Sequence, residues 1–249
     1  MQYGICFLSI VPLRLEPADT SEMVTQVLYG ECFKVLETRK KWCRIRLAFD
    51  RYEGWMDRKQ FRFLKESEYT SNVALPAKIT SDLVSHISTE SQQLMVLPMG
   101  CEVQHTQLLK HQHEGATIEK TMPKAQLVTT ALLYLNAPYL WGGKTPFGID
   151  CSGFTQMVYK LNGYALLRDA SQQATQGEPL SFIEESEPGD LAFFDNTEGA
   201  ITHVGIIMKD NYIIHAHGHV RVDRLDHTGI FNYEKRTHTH KLRVIKRII

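Results

Sequence analysis

From Tyr3 to about Leu64 the apolar residues come in short runs, "GICFLSIVPL", "MVTQVLYG", "CFKVLETR", "WCRIRLAF" and "EGWMDRKQF", separated by turn-type breaks. Runs of this length without helical spacing predict strands. Five such runs within about 60 residues predict a small β-barrel over 1–65. Over 66–122 the pattern is thinner, and "SNVALPAKITSDL", "QLMVLPMGCEVQ" and "ATIEKTMP" hold its clearest strand and turn candidates. A second, degenerate barrel is expected there, because "VLPMGCEVQ" echoes "VLYGECFKV" from the first. The stretch "TSDLVSHISTESQQL" fits either a short helix or a long loop.

The pattern changes after Pro123. Leu127, Val128, Ala131, Leu132 and Leu135 recur at helical spacing, with Pro138 expected to end that helix. "PYLWGGKTPFGID" is dense in Gly, Pro and aromatics and reads as a structured loop. It leads into "CSGFTQMVYKLNG", a second helix with Phe154, Val158 and Leu161 on one face and Asn162-Gly163 as its stop. Past Pro188, "GDLAFFD", "HVGIIMK", "YIIHAHG" and "HKLRVIKRI" predict strands of one antiparallel sheet. Helices followed by strands predict an α+β domain over 123–249.

Composition narrows the function classes. Twenty-eight basic residues balance 28 acidic ones, so no electrostatic footprint for nucleic acid exists. No stretch approaches the roughly 20 apolar residues of a membrane span. The five cysteines (Cys6, Cys32, Cys43, Cys101 and Cys151) never form CxxC, which argues against a disulfide framework or a thiolate zinc site and for a reducing compartment. "MQYGICFLSIVPLRLEP" lacks the basic start of a signal peptide and reads as a first strand. A cytoplasmic location is expected on these grounds, with export as the alternative if a leader was removed.

The chemistry centres on Cys151. A helix start offers unpaired N–H groups and a favourable dipole, which stabilise a thiolate, the nucleophilic form of cysteine. Ser152 and Gly153 are small and leave room for substrate. A lone cysteine is as readily a buried packing residue, so a base must be found. Among eleven histidines, His203 opens one strand and His215 ends the strand that "DN" joins to it. A hairpin of those strands brings both imidazoles within reach, one as base and one as its orienting partner. "HAHGH" at 215–219 would put three imidazoles on one strand face, but no fourth ligand is evident and no metal is expected. His238 and His240 are expected in solvent. Gly189 and Asp190 in "EPGDLAFF" read as a structural turn.

From roughly Lys124 to Arg243 the chain resembles the NlpC/P60 family of papain-like cysteine peptidases, through "PYLWGG", "GIDCSGF", "EPGDLAFF", "THVGIIM" and "YIIHAHG" in the family's order. "PLRLEPADTSEMVTQVLYGECFKVLE", "WCRIRL" and "YEGWM" are similar to the strands and loops of bacterial SH3-like domains. The resemblance implies an SH3-like barrel or barrels ahead of a papain-like domain, with Cys151 as nucleophile, His203 as base and His215 as third member. It implies amide hydrolysis through a thioester without a cofactor, with Tyr139 and the Cys151 N–H as oxyanion donors.

The module order resembles γ-D-glutamyl-diamino acid endopeptidases acting on peptidoglycan stem peptides with a free N-terminal L-Ala. That implies muropeptide substrates and an anchor for the ammonium group, assigned to Asp150, Ser152 and Ser171. Ala170 stands where relatives often have a second serine, which leaves the register of Ser171 open. Glu22 and either Tyr52 or Glu53 are the expected wall that excludes longer chains. An acyltransferase using the same thioester, or a non-catalytic cell-wall binding protein, are the alternatives.

Overall fold

The computed structural model describes residues 2–249. They divide into two compact units, Met1–Lys120 and Thr121–Ile249. In the first, β1 (Gln2–Cys6), β2 (Ile10–Arg14), β3 (Met23–Leu28), β4 (Cys32–Thr38), β5 (Trp42–Leu47), β6 (Glu53–Asp57) and β7 (Phe61–Leu64) pair antiparallel in the order β3-β2-β6-β5-β4-β1-β7. Strand alternation sets the inside: Cys43, Ile45 and Leu47 of β5 are buried while Arg44 and Arg46 face water. Val11, Leu13, Val27, Phe33 and Met56 complete that core. The first apolar run makes two strands rather than one. Its start pairs with β4 and β7 and its end with β3 and β6, so the chain must turn a corner at residues 7–9.

Residues 66–120 belong to the same compact unit as the barrel. They hold α1 (Glu66–Val73), β8 (Ile79–Thr80), β9 (Val84–Ser88), β10 (Leu94–Pro98), α2 (Thr106–Leu109), β11 (Gln112–Glu114) and β12 (Thr117–Ile118). These make a three-stranded sheet, β10-β9-β11, and a ribbon, β12-β8. Strands of two to five residues bury too little to close a second core alone. The segment leans on the barrel instead: Glu102 donates its N–H to Tyr29 O at 2.9 Å, and the Tyr29 hydroxyl bonds His111 Nδ1 at 2.9 Å. "TSDLVSHISTESQQL" is neither helix nor long loop but β9 and the turn to β10, with Gln92 at φ 61°.

The second unit contains α3 (Gln126–Leu132), β13 (Lys144–Thr145), β14 (Gly148–Ile149), α4 (Cys151–Leu161), α5 (Ala170–Gln173), β15 (Glu178–Leu180), β16 (Leu191–Asp195), β17 (Ile201–Ile207), β18 (Tyr212–His217), β19 (His219–Leu225), β20 (Gly229–Asn232) and β21 (Thr237–Arg247). The expected antiparallel sheet is present in the order β15-β21-β16-β17-β18-β19-β20. Because β20 also pairs with β21, the strands from β21 to β20 close on themselves. α3 stops well short of Pro138. Beyond Leu132 the chain makes i→i+3 turns at Leu133 and Leu135 and changes direction at Asn136, whose φ is 67°.

All eleven residues of α4 are buried, not one face alone. The helix packs against β17 and β18 on one side and α3, α5 and β13 on others. The "EPGDLAFF" turn is structural: Asp190 carboxylate oxygens accept from Lys124 Nζ at 2.7 Å and Glu187 N–H at 2.9 Å, and Gly189 has φ 101°. Among the described residues no helix is long and apolar enough to cross a membrane.

Candidate active site

Asp150, in extended conformation, caps α4 by accepting Gly153 N–H on Oδ1 at 2.6 Å. Its Oδ2 accepts Gly142 N–H at 2.8 Å, which ties the glycine-rich loop to the helix start. A Cβ on Gly153 would collide with Gly143 O, so only glycine lets loop and helix approach this closely. The result is that Cys151 occupies the first helical position, 7% exposed, pressed against β17. Its Sγ lies 3.9 Å from Thr202 O, and the Val204 backbone also bonds the sulfur, so the thiol contacts β17 on both sides of His203.

The β17–β18 hairpin pairs Gly205 with His215. A Cβ on Gly205 would sit 2.9 Å from that of His215, so the absence of a side chain there lets β18 seat His215 on the face that carries His203. His203 Nε2 and His215 Nδ1 are 2.8 Å apart. His215 Nε2 is in turn 3.0 Å from Asp223 Oδ2 on β19. Arg221 clamps Asp223 from Nε at 2.7 Å and Nη2 at 3.1 Å. Behind His203 lies His240 of β21, its ring stacked at 4.1 Å between centroids. His240 is thus half-buried rather than solvated, because β21 pairs with both β16 and β20 and brings residue 240 over the site. The three imidazoles of "HAHGH" do not share one strand. Gly218, at φ 74°, turns the chain so that His219 begins β19 opposite His217.

Burial dominates the electrostatics. It pushes the Cys151 thiol up to about 12, with the Asp150 carboxylate adding to the rise. This overrides the thiolate stabilisation expected of a helix start. Burial holds His203 well below its ordinary value, helped by His215, His240 and His217 around it. His240 is lowered to about 4, again mainly by burial. Both shifts favour a neutral thiol beside a neutral imidazole. Inactivation by iodoacetamide should accordingly keep rising from pH 6 to pH 9, whereas a plateau already at pH 6 would reveal a preformed thiolate–imidazolium pair. Because His203 stays unprotonated below the usual imidazole range, the acid limb of kcat/KM should lie below about pH 6.5, the ordinary imidazole value.

The other expected residues divide. Tyr139 is one-third exposed, its N–H bonded to Gly218 O at 2.9 Å and its backbone bridged to Ile149. Burial, with Cys151 and the Asp150 carboxylate nearby, pushes its phenol upward, so it remains a neutral O–H donor. Ser152 is buried, accepts Arg168 Nη1 at 2.9 Å and donates to Asp150 Oδ1 at 3.4 Å. Asp150, the acidic anchor expected from sequence, already has a cationic partner. Arg168 grips it with Nη1 at 3.0 Å and Nη2 at 2.7 Å, so its charge is already met inside the protein.

Ser171 lies exposed on α5 beside buried Ala170. In the first unit, Glu53 pairs with Arg44 at 2.8 Å and Arg46 at 2.6 Å, and Tyr52 packs against the barrel core. Glu22 precedes β3 and its carbonyl accepts Leu15 N–H at 3.0 Å. Arg168, His240, Arg221 and Asp223 were not found by sequence reasoning. For the last two a signal existed, since "HVRVDRL" alternates in strand fashion one turn after "YIIHAH".

Residues 136–240 match the NlpC/P60 family. The C-terminal unit is an NlpC/P60 domain. Residues 13–61 match the bacterial dipeptidyl-peptidase Sh3 domain, so the first barrel is SH3-like, as its strand pattern implied. Over 223 residues the chain is 28% identical to the gamma-D-glutamyl-L-lysine dipeptidyl-peptidase of Bacillus subtilis, covering 82% of this chain and 75% of that one. It is 29% identical over 253 residues to dipeptidyl-peptidase 6 of Lysinibacillus sphaericus, covering 86% and 88%. The fold also matches that of an NlpC/P60 family protein from Bacillus cereus, with a TM-score of 0.80, 20% identity and 99% of each chain covered.

Proposed function

We propose that the protein is a cysteine endopeptidase that cleaves the γ-D-Glu to diamino-acid bond of peptidoglycan stem peptides with a free N-terminal L-Ala, releasing L-Ala-γ-D-Glu. The observation that carries the chemistry is the Cys151 thiol touching the β17 backbone at Thr202 and Val204, the two residues that flank His203, whose Nε2 lies 2.8 Å from His215 Nδ1. The choice of bond is supported by the names of the two relatives that span most of the chain.

Cys151 Sγ attacks the carbonyl carbon while His203 takes its proton, and a tetrahedral oxyanion forms. The Cys151 N–H and the Tyr139 hydroxyl donate to that oxygen. The carbon–nitrogen bond then breaks as His203 returns the proton to the leaving amine. Water, deprotonated by His203, hydrolyses the thioester and frees the thiol. Ser152 Oγ, which already accepts one bond and donates another, keeps a lone pair for the substrate ammonium. Ser171 is its expected neighbour in that role. Such a specificity suits the trimming of released cell-wall peptides rather than intact wall.

The test compares L-Ala-γ-D-Glu-L-Lys and its diaminopimelate counterpart with N-acetylated versions, reading products by mass spectrometry. Free peptides should yield L-Ala-γ-D-Glu, and acetylation should raise KM on the order of tenfold through loss of a charge-assisted hydrogen bond. Equal cleavage of both forms would overturn the free-amine requirement, and absence of cleavage at the γ-D-Glu bond would overturn the choice of substrate.

A further inference from the structure

His203 can serve as the base only if the nitrogen facing the thiol carries its lone pair. A neutral imidazole has one N–H and one lone pair, and which nitrogen holds which is set by its partners. His203 commits Nε2 to His215 Nδ1, leaving Nδ1 as the nitrogen for the thiol proton. If the shared proton belonged to His215 Nδ1, His203 Nε2 would be the acceptor, its Nδ1 would carry hydrogen, and the base would be blocked.

Asp223 decides the matter. A carboxylate only accepts. Its oxygen, 3.0 Å from His215 Nε2, requires a hydrogen on that nitrogen, so His215 Nδ1 is a bare acceptor. His203 Nε2 must then be the donor and His203 Nδ1 the lone pair. Asp223 is held to this task by Arg221, which grips both of its oxygens and lies on the same face of β19, opposite His215. Both imidazoles are buried, so their partners inside the protein set the order.

We propose that Asp223, oriented by Arg221, is a positioning residue that sets the tautomers of two histidines in series and thereby delivers the unprotonated Nδ1 of His203 to Cys151. The role extends the proposed peptidase site, although its first test needs no substrate. Burial disfavours the Asp223 charge, but hydrogen bonds from His215 and Arg221 outweigh it and keep the carboxylate below its ordinary value, hence ionised at neutral pH. When His203 takes the thiol proton, the same carboxylate stabilises the cation through His215.

The experiment uses the full chain with 15N-labelled histidine. In the wild type, long-range 1H–15N correlation spectra at pH 7 to 8 should show both His203 and His215 carrying hydrogen on Nε2. Hydrogen on Nδ1 of His203 in the resting enzyme would overturn the proposal without regard to any substrate. Asp223→Asn places an amide that can donate to His215 Nε2, which would shift both histidines to Nδ1–H. Its kcat and its iodoacetamide rate at pH 7 should fall on the order of 10²-fold or more, with KM little changed. Asp223→Glu, still acceptor-only, should retain the wild-type tautomers and regain part of the rate. Wild-type tautomers and unchanged alkylation in the Asn variant would overturn the proposal. Loss of peptide cleavage with normal tautomers and alkylation in the wild type would instead count against the choice of substrate.

Discussion

Cys151→Ala should abolish turnover of any γ-D-Glu peptide the enzyme accepts, lowering kcat on the order of 10⁴-fold or more. The thiol at the first position of α4 is the group placed to form the acyl intermediate, and neither His203 nor Tyr139 replaces it as that nucleophile. The change removes one sulfur from a position 7% exposed, so the fold should survive with a stability loss of about 1 kcal/mol. Peptide binding should persist, measurable by calorimetry on the inactive variant. Cys151→Ser is expected to fail nearly as completely, since His203, held well below its ordinary basicity, must then deprotonate a much weaker acid. Turnover of Cys151→Ala within tenfold of wild type would remove the cysteine from the mechanism and with it the peptidase assignment.

The placement of Cys151 at a helix start and of His203 beside His215 was legible because each sits in a local pattern: a glycine-rich loop into a helix, and two strands joined by a tight turn. What the sequence hid depends on pairing between distant segments. His240 reaches His203 only through the β16–β21 and β20–β21 pairings, and no periodicity announces those registers. Arg168 sits in a loop of no regular pattern, so its burial at 1% exposure could not be inferred from hydrophobic spacing. The thiolate expected of a helix N-terminus failed for a related reason: dipole and N–H groups are local, but desolvation depends on how deeply the finished sheet covers the sulfur. In residues 66–120, strands of two to five residues carry too few positions for alternation to speak, and their partners lie partly in the barrel.

The second large effect concerns Arg168. Its guanidinium makes a two-pronged contact with Asp150 and also donates to Ser152 Oγ, all within a site where both charges are nearly or wholly removed from water. Breaking such a pair by removing one partner leaves a buried charge unmet, at a cost of about 3–5 kcal/mol. Arg168→Met should therefore destabilise the second unit by that amount in urea unfolding. It should also lower kcat, because Asp150 both caps α4 and holds Gly142, and any shift of that carboxylate moves Cys151 off β17. Adding Asp150→Asn to Arg168→Met removes the stranded charge, and asparagine still caps a helix well. The double variant should then regain most of the lost stability, a non-additivity that identifies the pair as the cause. A single-variant loss below about 1 kcal/mol, or a double variant no better than the single, would show that Asp150 does not depend on Arg168 and would return it to the role of an open anchor for the substrate ammonium.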